Sequence, residues 1–319
     1  MSRRRQKRNQ EAFWSSHPGL FDVAADSDGG ELLPMNDSAL DAPERVSFMS
    51  FGSGSSGNCA YIGTPSCGLL IDAGVDNNYV IEQLKANSIN PENLAGILLT
   101  HDHSGHVPYA YAILRRYKQM RLFATAKAFN GLLRRHSISR RIKDYHTPIF
   151  KEFPFQAGIF TVTAFETSHD GTDNAGFCIE GGGTTFVVAT DTGTITARAD
   201  AYMRRTPNLM IESNYDAEML RNGRYPVHLK SRIASTTGHL DNADTARYLA
   251  AIAKQAGLKH VFLCHLSQDN NTPQIAISTV RSALESAGIG VTHENAIADS
   301  RMRLSVLPRS EATSLIVLD

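Results

Sequence analysis

The pattern of apolar and polar positions changes near Val46. Before it, residues 1–45 have no sustained hydrophobic period, and a basic run at residues 3–8 passes into a polar, acidic stretch. Such a segment buries little apolar surface, so we predict a disordered N-terminal tail over residues 1–45. From Val46 onward, short apolar runs bounded by Gly, Asp and Ser alternate with segments of helical period. We therefore expect a single folded domain over residues 46–319.

The periods in this domain predict strands and helices that alternate along the chain. The predicted strands cover residues 47–51, 60–62, 68–71, 96–100, 122–124, 160–164, 175–180, 185–189, 209–212 and 260–264. The predicted helices cover residues 77–86, 108–116, 126–135, 216–222, 230–235, 242–256 and 273–287. Asn271 or Thr272 is a plausible N-cap of the last helix, which begins at Pro273. Interleaved strands and helices indicate an α/β sandwich rather than a helical bundle.

Composition limits the class of protein without changing this fold prediction. The chain carries 32 basic and 32 acidic residues, so its bulk charge does not indicate a nucleic-acid partner. Its four cysteines include no CxxC pair, which favours reduced cysteines over disulfides or a thiolate zinc site. No apolar run reaches the roughly 18 residues of a membrane span, and no secretory signal follows the basic N-terminus. We expect a cytoplasmic protein without a membrane partner, and its oligomeric state is not predicted.

Three histidines follow the predicted strand at residues 96–100. His101, His103 and His106 lie within six residues of one another. In a loop, His101 and His103 can turn toward one ion, while His106 can face a neighbouring ion. Neutral imidazoles are ligands for zinc, manganese, iron or nickel. The spacing therefore predicts metal binding.

Four further residues with metal-ligand side chains stand at the ends of other predicted strands. They are Asp72, His169, Asp191 and His265. Side chains at the strand ends of an α/β sheet converge on one crevice. We expect these four residues and the three histidines to share one pocket.

The order Asp, HxHxxH, His, Asp, His resembles the metallo-β-lactamase superfamily. The surrounding segments resemble one branch of it, the YycJ/WalJ-type bacterial exonucleases. These segments are residues 51–58 (FGSGSSGN), 70–74 (LIDAG), 168–170 (SHD), 211–216 (IESNYD), 237–242 (TGHLDN) and 265–271 (HLSQDNN). The resemblance covers residues 46–310. It implies an αββα sandwich with a single catalytic domain and a metal-dependent hydrolase, specifically a 5′→3′ DNA exonuclease.

The resemblance also implies a metal centre that binds one or two divalent ions, Zn or Mn. A first ion would be held by three histidines, His101, His103 and His169. Asp191 would bridge to a second ion, whose site would be completed by His106 and His265.

Two further residues have roles by the same resemblance. Asp72 would hydrogen-bond to the histidine loop from behind and fix the orientation of an imidazole. His239 would contact the substrate phosphate or the leaving group, with a structural histidine as the alternative. The expected catalytic residues are therefore Asp191, His239 and His106.

One position departs from the superfamily pattern. The superfamily usually has HxHxDH, in which the Asp commonly binds the second metal, whereas this chain has Gly105. Loss of one anionic ligand weakens the second site but leaves three ligands, which is enough for an open catalytic ion. We predict a tight first metal and a weaker or exchangeable second one. The neighbouring Asp102 is expected to point away from the site.

A basic stretch directly follows the histidine loop. Residues 113–143 contain ten Lys or Arg residues and no Asp or Glu, with aromatic residues between them. This pattern suits a polyanionic strand, with solvated helix faces as the alternative. Arg115 and Arg116 are accordingly predicted to bind substrate, and a second basic group lies within residues 221–232.

The Ser/Gly run at residues 53–58 is a second candidate for substrate binding. Backbone N–H groups in such a loop can cradle a phosphate, so we predict contacts from Ser55, Ser56 and Asn58. A tight hairpin without a ligand is the alternative.

Three functions fit these features. The first is a metal-dependent nuclease whose partner is DNA. The second is a small-molecule hydrolase of the thioesterase or lactamase type, which predicts a narrow apolar pocket and little dependence on salt. The third is a non-catalytic nucleic-acid-binding or metal-sensing relative, weakened because Gly105 replaces the usual metal-binding Asp.

Overall fold

The computed structural model describes residues 44–292 and 301–318. The predicted tail lies outside these residues apart from Glu44 and Arg45. The described strands are β1 (Ser47–Gly54), β2 (Gly57–Gly63), β3 (Gly68–Ile71), β4 (Leu94–Leu98), β5 (Arg121–Thr125), β6 (His146–Ile149), β7 (Phe155–Ala157), β8 (Phe160–Glu166), β9 (Ala175–Gly181), β10 (Thr184–Ala189), β11 (Asn208–Glu212), β12 (His260–Cys264), β13 (Val291–Thr292), β14 (Met302–Val306) and β15 (Ile316–Val317).

Eight α-helices lie in the same ranges. They are α1 (Asn77–Ala86), α2 (Ala110–Arg116), α3 (Ala126–Arg135), α4 (Ala197–Met203), α5 (Ala217–Asn222), α6 (Val227–Ile233), α7 (Asn242–Ala256) and α8 (Pro273–Ser286). Short 3₁₀ helices cover Pro91–Asn93 and Arg140–Tyr145. None of the helices within the described ranges has the length and apolar character needed to cross a lipid bilayer.

The strands form two sheets that pack face to face. One sheet has the order β15-β1-β2-β3-β4-β5-β6, and the other has the order β13-β14-β12-β11-β10-β9-β8-β7. Phe48 of the first sheet packs between the sheets against Phe186 and Phe262 of the second, with ring centroids 4.9 and 4.5 Å away. Helices α1–α3 cover the outer face of the first sheet, and α4, α7 and α8 cover that of the second. This is the α/β sandwich that the periods predict, with the αββα arrangement that the resemblance implies.

Every strand and helix predicted from the sequence is present, with ends that shift by a few residues. Helix α6 begins after Pro226, three residues before the predicted start. Thr272 is the N-cap of α8, because its side chain accepts a hydrogen bond from the amide of Ile275. The sequence analysis missed the elements α4, β6, β7, β13, β14 and β15. Most of these are short edge strands, which depend on pairing with a neighbour more than on their own residues.

The direction of the strands brings one end of each sheet to the site. Strand β3 is parallel to β4, and β10, β11 and β12 are mutually parallel. The segments that follow these strands therefore leave from the same edge of their sheet. Residues that follow β3, β4, β8, β10 and β12 supply the predicted ligands.

Candidate metal centre

The first histidine group consists of His101, His103 and His169. One ring nitrogen from each of them lies within 4.8 Å of the others. Nε2 of His169 is 3.2 Å from Nδ1 of His103, and Nδ1 of His169 is 2.9 Å from the carbonyl oxygen of Gly238, to which it donates. His101 and His169 are buried, while His103 is partly exposed. The three imidazoles thus converge as the sequence predicts.

The second group consists of His106, Asp191 and His265, centred on one carboxylate. Oδ2 of Asp191 is 3.5 Å from Nε2 of His106, whereas Oδ1 is 3.4 Å from Nδ1 of His265. Oδ1 is also 3.7 Å from Nε2 of His169, which belongs to the first histidine group. Asp191 therefore lies between the two groups, and His101, His106 and Asp191 also form a compact set within 4.8 Å.

The backbone is unusual at three of these positions. Asp72, Asp191 and His265 have φ angles of 60°, 49° and 56°, and each follows a strand directly or after one residue. A left-handed conformation costs free energy for a residue with a side chain, and such strain concentrates at functional sites. At each strand end, this turn directs a polar side chain toward the metal centre.

Asp72 supports the histidine loop from behind. Its Oδ2 accepts a hydrogen bond from Nδ1–H of His106 at 2.7 Å, and its carboxylate also accepts bonds from the amide and hydroxyl of Thr100. The Thr100 hydroxyl is in turn 3.0 Å from Nδ1 of His101. These bonds fix both imidazoles so that their Nε2 atoms carry the lone pairs.

Glu212 is a buried residue of this centre to which the sequence analysis gave no role. Its Oε1 is 2.7 Å from Nδ1 of His239 and 2.8 Å from Nδ1 of His265, and its Oε2 accepts from the amide of Thr192. One carboxylate therefore orients two imidazoles. The signal was present, because Glu212 is the last residue of the apolar strand β11. It stands at a strand end, like the four residues that were identified.

The electrostatics keep ligand atoms available in the first histidine group. Burial lowers the pKa of His101 well below its usual value, and the nearby His106 lowers it further. Burial and His169 likewise lower the pKa of His103 to about 4. Both imidazoles are consequently neutral at pH 7. Nε2 of His101 is buried with no hydrogen-bond partner, which a metal ion would provide.

The second group has the opposite balance. Burial opposes charge at both histidines, but Asp72 and Asp191 raise the pKa of His106, and Asp191 and Glu212 raise that of His265 to about 9. Burial would raise the pKa of Asp191, yet the surrounding histidines, His265 foremost, hold it well below its usual value. The neutral imidazoles of the first group and the ionised carboxylate of Asp191 fit a divalent ion of the zinc or manganese type, and an ion bound by His265 would displace a proton from its imidazole.

Members of both groups line a cavity of about 310 Å³, and none of the lining side chains is apolar. Its lining residues are Ser55, His103, Ser104, Gly105, His106, His169, Asp191, Arg232, His239 and His265. Arg232 is held at the cavity by Asp170, with Nε–Oδ2 and Nη2–Oδ1 distances of 2.6 and 3.1 Å. The cavity thus combines metal-ligand atoms with one guanidinium group.

Comparison with known proteins identifies the family. A model of the beta-lactamase superfamily domain matches residues 68–266. The exodeoxyribonuclease YycJ of Bacillus anthracis is 33% identical over 250 residues, which are 76% of this chain and 91% of that protein. The exodeoxyribonuclease WalJ of Streptococcus pneumoniae serotype 2 is 33% identical over 242 residues, 75% of this chain and 88% of that protein. The chain belongs to the metallo-β-lactamase superfamily. Within it, the chain falls in the YycJ/WalJ branch.

Solved structures agree on the fold of this superfamily member. The metallo-beta-lactamase fold protein YhfI from Bacillus subtilis has a TM-score of 0.59 at 14% identity, over 85% of this chain and 99% of that one. The Zn²⁺-bound PqqB from Methylobacterium extorquens has a TM-score of 0.56 at 17% identity, over 84% and 100%. At these identities the likeness supports the αββα architecture alone.

The structure places the remaining site residues of this metallo-β-lactamase chain unevenly. Ser55 lines the cavity, and Ser56 is the exposed second residue of the two-residue turn between β1 and β2. Asn58 is buried and donates to Nε2 of His106, so it contacts the metal centre directly. Arg115 and Arg116 are exposed at the end of α2 and are not among the residues that line the cavity. Arg232, from the second basic group, does line it.

Contacts with neighbouring residues explain why Asp102 points away from the metal centre and why residue 105 is a glycine. The carboxylate of Asp102 accepts hydrogen bonds from the amide and hydroxyl of Thr172, and it lies 3.4 Å from Nε of Arg135. It is therefore turned away from the ligands, as expected. A Cβ at Gly105 would lie 2.8 Å from the carbonyl oxygen of Ser55, so the hairpin turn covers the position of the usual Asp.

Proposed function

We propose that this protein is a metal-dependent exonuclease that hydrolyses phosphodiester bonds in DNA, with 5′→3′ polarity. One observation carries the proposal. Metal-ligand side chains from both groups line a polar cavity together with Arg232, and no bulky apolar residue is among the lining residues. A small-molecule thioesterase or lactamase would need apolar walls to bind its substrate. The two exodeoxyribonuclease relatives support the same substrate class.

The first ion would be held by His101, His103 and His169. A second ion would be held by His106 and His265, with Asp191 between the two. These ions, Zn or Mn, would supply Lewis acids that activate water and neutralise charge developing on the phosphate. Because Gly105 supplies no carboxylate, we expect the second ion to bind more weakly than the first.

His239 is the residue proposed to act on the leaving group. Its Nδ1 donates to Oε1 of Glu212 at 2.7 Å, so Nε2 is the nitrogen that remains available to a substrate. Its ring lines the cavity, 4.9 Å between centroids from the ring of His169. With Nδ1–H bonded to Glu212, Nε2 is the atom from which the imidazole would pass a proton to the departing oxygen.

Positive charge and the β1–β2 turn would position the polyanion. We propose that Arg232 contacts the phosphate at the reaction site, where Asp170 holds its guanidinium. Arg115 and Arg116 would contact strand phosphates beyond the cavity, because both are exposed but neither lines it. Backbone amides of the turn at Ser55 and Ser56 would contribute at the cavity mouth.

The location that fits this function is the cytoplasm. The four cysteines are free and buried. Burial raises the thiol pKa values of Cys59 and Cys264 well above the usual value, and Asp72 and Glu212, respectively, raise them further. Protonated, buried thiols behave as small apolar side chains and suit a reducing compartment.

The test compares several substrates in one assay. Purified protein is incubated with 5′-labelled and 3′-labelled single- and double-stranded DNA in Mn²⁺ or Zn²⁺, beside nitrocefin and a glutathione thioester. The proposal expects metal-dependent release of nucleotides from the 5′ end and no turnover of the two small molecules. Efficient hydrolysis of nitrocefin or the thioester without DNA cleavage would contradict it.

The His103→Ala variant is the control for the identity of the active protein. Removal of one ligand of the first histidine group should abolish cleavage, so activity that survives would indicate a contaminating nuclease or a different site. Binding of DNA without cleavage by the wild-type protein in either metal would favour a non-catalytic relative.

A further inference from the structure

Both ring nitrogens of His106 are already engaged in the described structure. Nδ1–H donates to Oδ2 of Asp72 at 2.7 Å, so the lone pair lies on Nε2. Nδ2 of Asn58 lies 3.1 Å from this Nε2 and donates its other hydrogen to the carbonyl oxygen of Gly54 at 2.8 Å. The lone pair that a second metal would need is thus used by a buried amide.

The position of Asn58 is fixed by its backbone as well. Its N–H donates to the carbonyl oxygen of Gly105 at 2.8 Å, and its own carbonyl accepts from the amide of Gly74 at the same distance. A Cβ on Gly74 would overlap the carbonyl oxygen of Gly105. These three segments therefore pack at backbone contact distance, and the amide of Asn58 has little freedom to leave His106.

Hydrogen bonds from Nδ2, and none to Oδ1, set the orientation of the Asn58 side chain. Asn58 is 5% exposed, and its Oδ1 is buried without a hydrogen-bond partner. A buried unpartnered oxygen is unfavourable, so the two bonds donated by Nδ2 hold the amide in this orientation. The bond to Nε2 of His106 is one of these two.

Residue 105 supplies no carboxylate to compete with this amide. The point where a Cβ of residue 105 would stand is 2.8 Å from the carbonyl oxygen of Ser55 and 3.6 Å from Nδ2 of Asn58. Asn58 thus lies beside His106, next to the position from which the usual superfamily Asp would extend. The first histidine group differs, because Nε2 of His101 has no hydrogen-bond partner.

We propose that Asn58 controls occupancy of the second metal site. Its amide masks Nε2 of His106, so the protein holds one divalent ion tightly and accepts a second only when the Asn58–His106 hydrogen bond breaks. The inference rests on the metal centre of the proposed function. It makes Asn58 a positioning residue for metal binding and assigns it no direct contact with substrate.

The test measures metal binding without any activity assay. Protein is loaded with one equivalent of Zn²⁺, dialysed, and titrated with Mn²⁺ by calorimetry and by electron paramagnetic resonance. Asn58→Ala removes the masking donor, and its dissociation constant for the second ion should fall about five- to tenfold. Asn58→Asp keeps the side-chain volume and adds an anionic oxygen, so its dissociation constant should fall further.

Two controls connect the effect to His106. Adding His106→Ala to Asn58→Asp should abolish the gain. Asn214→Ala removes another buried side-chain amide, whose Nδ2 lies 3.3 Å from Nδ1 of His265. That nitrogen faces Glu212, so this amide does not mask Nε2 of His265. This variant should show no gain in affinity. Thermal unfolding of the metal-free variants checks that each one folds, and Asn58→Asp carries the test if the Ala variant does not.

The outcomes separate the two proposals. Weaker binding of the second ion by Asn58→Ala would make Asn58 a ligand and overturn the masking proposal, as would unchanged affinity in both Asn58 variants. A protein that binds one Zn²⁺ tightly but does not respond at Asn58 refutes this inference alone. A wild-type protein that binds no divalent ion refutes the metal centre of the proposed function.

Discussion

The two groups of the metal centre differ in the partners of their buried histidine nitrogens. In the first histidine group, Nε2 of His101 is left without a partner, and burial keeps the imidazoles of His101 and His103 neutral. In the second group, carboxylates partner the histidines, and their negative charge raises the pKa of His106 and His265 despite burial. The second group is therefore internally compensated, whereas the first is complete only with an ion.

This difference indicates how the two groups respond to change. The first histidine group has a ligand nitrogen without a protein partner and therefore depends on its ion. Loss of one of its ligands should remove both the ion and catalysis. A compensated group depends on its carboxylates, so loss of one of them should disturb orientation and charge while the first ion stays bound. The following predictions test this contrast.

The largest effect is expected at His101. His101→Ala removes the buried imidazole whose Nε2 has no protein partner, so the tightly bound ion should be lost. Nuclease activity should fall about a thousandfold or more, because water activation needs that ion. Metal content after dialysis and cleavage of labelled DNA measure both effects. His146→Gln changes a half-buried histidine outside the cavity lining and should keep one ion per chain.

Retention of the tight ion by His101→Ala would contradict the dependence of the first histidine group on its ion. It would mean that the two groups do not differ in their need for metal, even if activity were lost.

A smaller effect is expected at Glu212, the residue that orients two imidazoles. Glu212→Gln removes the charge beside His239 and His265, so activity should fall about ten- to a hundredfold with the first ion still bound. Metal content and cleavage rate are measured on the same preparation. Glu180→Gln, at an exposed Glu in β9, is the matched control and should behave as wild type. Loss of the tight ion in Glu212→Gln would show that the two groups are not separable.

Much of this site could be predicted because its residues share one local context. A polar ligand side chain within two residues of the end of a buried strand marks Asp72, Asp191 and His265, and strand ends converge in an α/β sandwich. Alternating periods predicted an α/β sandwich, and the resemblance to the metallo-β-lactamase superfamily implied its αββα arrangement. Edge strands such as β6 and β15 were missed because pairing defines them, although β14 has a detectable alternation of apolar and polar residues.

The rest of the site depends on contacts between distant parts of the chain. Asn58 and His106 are 48 residues apart, and only the fold brings their nitrogens to 3.1 Å. Likewise, a run of basic residues in the sequence shows where charge is concentrated along the chain but not which side chains face the cavity. The sequence favoured Arg115 and Arg116, whereas the fold brings Arg232 to the cavity.

Gly105 tests whether the second group can be restored to the usual superfamily pattern. Gly105→Asp returns the carboxylate, but its Cβ would lie 2.8 Å from the carbonyl oxygen of Ser55. The free energy of unfolding should therefore fall by about 1–3 kcal/mol as the β1–β2 turn is displaced. Gly105→Ala is the matched control, because it adds the Cβ without the carboxylate. Urea unfolding of both metal-free variants should show similar losses.

A Gly105→Asp protein that is as stable as wild type and binds two ions tightly would contradict this steric account. It would mean that the turn moves at little cost and that the second group is weak only because it lacks one carboxylate.

The smallest effects concern the cations that would hold DNA around the two groups. Arg232 lines the cavity and is fixed by Asp170, so Arg232→Ala should raise KM about three- to tenfold with a smaller change in kcat, and lower the salt slope of binding by about 1. Arg232→Lys keeps the charge but loses the two-point contact with Asp170, and it should recover only part of the affinity.

Arg115→Ala, at an exposed residue outside the cavity lining, should raise KM about twofold for long strands and leave the KM for short oligonucleotides unchanged. Steady-state cleavage at several salt concentrations distinguishes the two positions. A larger KM change at Arg115 than at Arg232 would move the phosphate contact from the cavity to helix α2, because the residue nearest the reacting phosphate should matter most for the shortest substrates.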